Sequence, residues 1–299
     1  MSRLQFITLD VFTSTRFLGN PLAIVKVPKE HRNTLTQDQK QTIAREFNLS
    51  ETVFLHESEA DAPTKIDIFT SVAELPFAGH PTVGSGWYLL SQNPTKDFIT
   101  LTTKAGDILV SRTDTGAVRL RVPTNFKVQP PYTDTRVKTL QPNLTDADYV
   151  HGKSGTEAVA SIVKGMTFVL LQVASEDALA RLQPTSEHLT IPDLGEWASF
   201  VGLYAFFERE DGILRTRMFD GALEDPATGS AASTLAGYLA EKRGKGTYYF
   251  KIIQGVEMRR RSGIEVFVEV GKEGKVATVE LGGEAVEIMD GSIQLPAQK

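Results

Sequence analysis

The chain has 299 residues, 41% of them hydrophobic and 23% charged, enough apolar material for two domains of ordinary size. Its net charge is −5, from 32 Lys and Arg against 37 Asp and Glu, and its one basic run is Arg259–Arg261, so no nucleic-acid partner is expected. It has no cysteine, which excludes disulfides, thiolate metal sites, iron–sulfur clusters and cysteine nucleophiles. No run of about 18 apolar residues is present, so no membrane helix is expected.

The start, "MSRLQFITLDVF", alternates as a strand does and carries no long apolar leader, so the expected compartment is the cytoplasm. "PLAIVKV" is a second strand. "LTQDQKQTIAREFNLS" is a helix: Thr36 caps it, Gln39 stands three residues later at capping-box spacing, and Asn48 is its stop. "ETVFL" and "IDIFT" are strands. "HPTVGSGWYLLSQ" is expected to be a helix opening at Pro81, since proline is favoured at the first helical position. Strands follow in "FITLTT", "GDILVSRT" and "AVRLRV". The proline-rich stretch 123–136 is expected to be a linker. Beyond it, "TFVLLQV", "GLYAFFE" and "LRTRMF" are strands, "EDALARL" is a short helix, "TGSAASTLAGYLAEK" is a longer one, and strands run to the end.

A repeat organises these elements. Shifted by 150 positions without a gap, Glu74 meets Glu224, Pro76 meets Pro226, Gly79 meets Gly229, and Tyr88-Leu89 meets Tyr238-Leu239. Upstream, Val53, Phe54 and Phe69 meet Leu203, Tyr204 and Phe219. A period this long means two copies of a domain rather than a solenoid. Each copy sets a glycine at a helix start, where unpaired N–H groups and the positive end of the helix dipole favour an anion and a glycine lets it approach closely. The alternative is that both glycines only shape tight turns.

The copies differ in their polar groups. Glu51 meets Val201, Asp225 meets Leu75, and His80 meets Ser230. A carboxyl group in a mostly apolar cleft suits general acid/base work, because desolvation raises its pKa. Each group also has a plain alternative: Asp225 as a helix cap, Glu51 as a solvated surface acid, His80 as a satisfied structural histidine. There is no G-x-G-x-x-G after a strand, no Walker A loop and no G-x-S-x-G elbow. The five histidines, at 31, 56, 80, 151 and 188, form no H-E-x-x-H, so no metal site is expected.

The segments "LDVFTSTRFLGNPLAIV", "LSETVFL", "ELPFAGHPTVGS", "EDPATGSAA" and "QGVEMRRRS", in order from Leu9 to Ser262, resemble the phenazine biosynthesis PhzF-like family. The resemblance implies a diaminopimelate epimerase-like α+β fold. It has two similar domains, each a β-barrel-like sheet wrapped round a central helix, with the active site in the interdomain cleft. The domains are expected at 1–125 and 126–286, with 287–299 returning to the first. The resemblance further implies an isomerase without metal or organic cofactor, acting on a small anionic substrate as a homodimer. The family's type member shifts a proton on trans-2,3-dihydro-3-hydroxyanthranilate.

Carried over residue by residue, Glu51 is the general acid/base, and His80 and Asp225 position substrate and assist proton transfer. Gly79, Gly229 and Ser230 bind the substrate's carboxylate or polar edge, and Asn20 lines the same cleft. Related epimerases use two cysteines at the helix starts; this chain has none, so a two-cysteine racemisation is excluded. Ser71 stands where the family often has proline, and Arg259–Arg261 where it often has glycine, arginine and proline. Both departures bear on loop shape and substrate, not on the proton carrier. The competing expectation is a metabolite-binding protein of the same fold that has lost catalysis.

Overall fold

The computed structural model describes residues 3–59 and 61–297. Contacts divide the chain into two compact units, Met1–Arg121 with Gly282–Lys299, and Val122–Leu281. The first holds β1 (Arg3–Val11), β2 (Asn20–Val27), α1 (Gln37–Phe47), β3 (Thr52–His56), β4 (Thr64–Phe69), β5 (Glu74–Leu75), α2 (Gly79–Ser91), β6 (Phe98–Thr103), β7 (Gly106–Arg112) and β8 (Val118–Arg121). The second holds β9 (Lys127–Tyr132), α3 (Arg136–Thr139), β10 (Glu157–Val163), β11 (Met166–Gln172), α4 (Glu176–Arg181), β12 (Val201–Glu208), β13 (Leu214–Asp220), β14 (Leu223–Asp225), α5 (Gly229–Arg243), β15 (Gly246–Gln254) and β16 (Ser262–Val270). Strand β17 (Val276–Gly283) carries the chain out of the second unit, and β18 (Ala285–Gln294) pairs antiparallel with β1 along its length. Among the described residues no helix is long and apolar enough to cross a membrane.

The two units repeat one pairing order. Strands β1 and β2 are antiparallel, β2 and β3 parallel, β3 and β4 antiparallel, β4 and β6 parallel, and β6 and β7 antiparallel. In the second unit β10–β11, β11–β12, β12–β13, β13–β15 and β15–β16 follow the same alternation. The hairpin before each central helix pairs Phe69 with Glu74 in one unit and Phe219 with Glu224 in the other, 150 positions on.

The central helices explain why each sheet curls. Along α2 nearly every residue from Gly79 to Tyr88 is buried, so the helix has no wet face, and it touches β1, β2, β3, β6, β7, β8 and β18. Its small residues let the strands close on it. A Cβ at Gly84 would lie 2.5 Å from Leu22 and 2.8 Å from Val11, and one at Gly86 would lie 2.6 Å from Val110. Helix α5 is alike: Ala231, Ala232, Ser233, Thr234, Leu235, Ala236 and Gly237 are all buried, and it packs against β10, β11, β15 and β16. The mixed α+β, epimerase-like architecture expected from the sequence is the one observed, each sheet wrapping a single buried helix.

Two local expectations are corrected. The stretch 123–136 is not a bare linker, because Lys127–Tyr132 form β9 on β10. Its Pro130 and Pro131 lack N–H donors, which an outer strand tolerates. Helix α2 starts at Gly79, two residues before Pro81. Pro81 still falls within the first turn, where its missing N–H would have had no helical partner. The amphipathic helix α1 does have the expected capping box. Gln39 N donates to Thr36 Oγ1 at 3.2 Å, Thr36 N donates to Gln39 Oε1 at 3.1 Å, and Asn48 ends the helix in the left-handed region at φ 49°.

Candidate active site

In the first unit, four of the sequence-derived residues share one end of the sheet. Asn20 begins β2, and Glu51 immediately precedes β3; because these strands are parallel (Ala23 opposite Thr52), both stand at the same edge. Gly79 and His80 open α2. His80 Nδ1 lies 2.9 Å from Glu51 Oε2, which joins the helix start to the strand edge. The histidine side chain is 5% exposed and the glutamate 18%, so Glu51 is not the solvated surface acid of the alternative reading.

The chemistry of this pair follows from its donors. A carboxylate can only accept, so His80 donates from Nδ1, and the neutral ring then carries its lone pair on Nε2. That Nε2 is buried and has no partner among the described residues. The ring's orientation has a second support. Phe12 sits at φ 63°, an uncommon conformation for an aromatic residue, with its N–H donating to Glu284 O at 2.8 Å. Its buried ring centroid is 6.5 Å from that of His80. At the start of α2 the N-cap residue is Ala78, and among the described residues no side chain caps the helix.

In the second unit, Asp225 ends β14 and is followed by α5, which opens at Gly229 and Ser230. Asp225 is not the helix cap: that position belongs to Thr228, three residues on, whose side chain makes no capping bond. The Thr228 hydroxyl instead donates to Asp225 Oδ2. Gln254 sits behind both. Its Nε2 donates to Asp225 O at 2.7 Å and to Thr228 Oγ1 at 3.0 Å, and its Oε1 accepts from Thr228 N at 3.3 Å. The same Oε1 is 3.1 Å from the Tyr204 hydroxyl, and burial pushes that phenol well above its usual pKa, keeping it a neutral donor.

The sequence reading gave no role to Thr228, Gln254, Tyr204 or Phe12. Thr228 and Gln254 lay inside the quoted motifs "EDPATGSAA" and "QGVEMRRRS", so the motifs held the signal without the contact. The backbone turn that brings Gln254 to Asp225 needs Gly255, at φ 75°, where a Cβ would meet Pro226 O and Arg260 O at 2.6 Å each.

An uncapped helix start with a histidine–carboxylate pair beside it thus stands in the first of two duplicated units of an epimerase-like fold. The comparisons agree. A probable proline racemase of Agrobacterium radiobacter shares the fold at a TM-score of 0.62 and 15% identity, over 98% of this chain and 93% of that one. A PhzF-family phenazine biosynthesis protein of Bacillus anthracis superposes at a TM-score of 0.80 and 22% identity, over 98% of this chain and all of that one. The trans-2,3-dihydro-3-hydroxyanthranilate isomerase of Pseudomonas aeruginosa is 31% identical, with 97% of this chain and 99% of that protein covered. The model of the family described as "Phenazine biosynthesis-like protein" matches residues 9–291, and the chain belongs to that family. It is an isomerase of the PhzF kind.

Proposed function

We propose that this isomerase moves a proton within a small carboxylate-bearing amino acid or cyclic metabolite, with Glu51 as the proton carrier and with neither metal nor organic cofactor. The observation that carries the reading is the 2.9 Å bond between Glu51 and His80 at the uncapped start of α2. His80 holds Oε2, which leaves Oε1 to take the proton from a substrate carbon acidified by its neighbours. The carboxyl group then returns that proton to a second carbon of the same molecule, so that no atom is gained or lost and the double bond shifts. One carrier suffices for this exchange.

The remaining candidates bind. His80 Nε2 and the Asp225 carboxylate hold polar groups of the substrate, Gly79, Gly229 and Ser230 offer N–H groups to its carboxylate, and Asn20 contacts its edge. The substrate named for the Pseudomonas relative is the first compound to try. The same proposal takes the working form to be a homodimer in the cytoplasm; sedimentation of the purified protein tests the dimer.

The test is Glu51→Gln, which keeps shape and removes the base. It is expected to lower kcat by roughly 10²–10⁴-fold while ligand affinity changes only a few-fold. Turnover at the wild-type rate would contradict the role of Glu51. Binding without turnover in the unmutated protein would favour the metabolite-binding alternative.

A further inference from the structure

Each helix that opens a half of the duplication is uncapped, and the two reach that state differently. At position 78 the residue is alanine, which has no hydroxyl to offer. Its counterpart 150 positions on is Thr228, a residue type strongly preferred as an N-cap. Elsewhere in this chain such residues do cap: Thr36 accepts from Gln39 N, and Ser175 accepts from Ala178 N at 3.0 Å. Thr228 does not.

The hydrogen-bond inventory explains the exception. The Asp225 carbonyl can only accept and the Thr228 amide can only donate, so the two ends of the buried Gln254 amide are fixed, Nε2 to the carbonyl and Oε1 to the amide. Tyr204, whose phenol has one proton, gives it to Oε1 and takes its second bond from Thr216, 3.0 Å away. With Gln254 so held, its second Nε2 proton goes to Thr228 Oγ1. The threonine hydroxyl then spends its own proton on Asp225 Oδ2 and is turned away from the first-turn N–H groups of α5.

We propose that Gln254, braced by Tyr204, is a positioning residue that diverts the Thr228 hydroxyl from helix capping to Asp225, so that one side chain both orients the acid and keeps the start of α5 open to the substrate's anionic group. Its catalytic consequence rests on the reading given under Proposed function; the diversion itself does not.

Backbone amide exchange of the full-length protein tests it without any substrate, read at Ala231, the residue whose N–H a capping Thr228 would bind. In Thr228→Val, a fold-preserving change, the Ala231 exchange rate is expected to stay within about twofold of wild type, because the hydroxyl never capped. Acceleration by about tenfold, the size of a lost cap, would overturn the proposal. In Gln254→Leu the freed hydroxyl is expected to cap and slow Ala231 exchange about tenfold, and adding Thr228→Ala should restore the fast rate. Unchanged exchange in a folded Gln254→Leu protein would also overturn it. Should that variant not fold, Gln254→Met, which keeps the chain length without the amide, is read in the same way, and unchanged Ala231 exchange in it overturns the proposal. Loss of turnover in Glu51→Gln is scored separately, so failure of one reading does not disguise failure of the other.

Discussion

At the scale of single residues, Nδ1 of His80 lies 2.9 Å from Glu51 while Nε2 has no partner among the described residues, and the separate duties proposed for them can be told apart by two substitutions. Asparagine places its amide N–H where Nδ1 stands and can still donate to Glu51, whereas glutamine reaches the position of Nε2 and leaves Glu51 without its donor. His80→Asn is therefore expected to keep kcat within about tenfold of wild type and to raise KM, while His80→Gln should lower kcat by roughly 10²-fold. Steady-state kinetics of the two variants check this; equal kcat values would mean that the 2.9 Å bond to Glu51 has no part in turnover. From sequence alone His80 was as readable as a structural histidine as a catalytic one. Its partner lies 29 positions away, and only the parallel pairing of β2 and β3 with the start of α2 beneath them brings the two together. Phe12 was beyond sequence reasoning for a different reason: nothing in its neighbours announces a left-handed aromatic residue.

Among the elements, the central helices set stability through their small side chains. Gly86 has the stiff Val110 where a Cβ would go, 2.6 Å from one methyl and 3.1 Å from the other. Gly86→Ala is expected to cost about 1–3 kcal/mol by overpacking, visible as a lower Tm with the fold intact. A second brace ties α1 to β3 and β4. Asp67 takes Lys40 Nζ at 2.5 Å and His56 Nε2 at 2.7 Å, all three nearly buried. Burial alone would raise that carboxyl, but the hydrogen bonds from His56 and Lys40 outweigh it and hold it well below the usual carboxylate range. A depressed folded pKa means stability that is present above the unfolded value near 3.8 and lost as pH falls below it. Asp67→Asn should therefore destabilise at neutral pH by about 3–5 kcal/mol and flatten the fall of Tm below pH 4, which acid-titrated melting checks. The α1 boundaries were legible because caps act locally. Strand β9 was not, since its prolines signal a loop and only pairing with β10 overrides them.

For the whole molecule, the duplication is the main fact, and much of it was legible. Positions matched at a shift of 150 fall on equivalent strands, hairpins and helix starts. The ungapped shift nonetheless hides a slip: Val53 faces Ile68, whereas Leu203 faces Phe219 rather than Met218. The chain's last strand also matters to its first. Deleting 282–299 removes β18, the antiparallel partner of β1 from Arg3 to Val11. Amide exchange in that truncated protein should show loss of protection throughout β1 and β2, with protection in β10–β13 retained; retained protection of β1 would contradict the role given to β18. The proposed function divides labour between the duplicated units, with a proton carrier in one and an oriented acid in the other.

Incubating the protein in deuterated water with a panel of cyclic and linear amino acids, beginning with trans-2,3-dihydro-3-hydroxyanthranilate, puts this division to the test. A one-deuterium mass gain or an isomeric product is expected for one compound, abolished in Glu51→Gln and weakened in Thr228→Val. Exchange that persists undiminished in Glu51→Gln would contradict it.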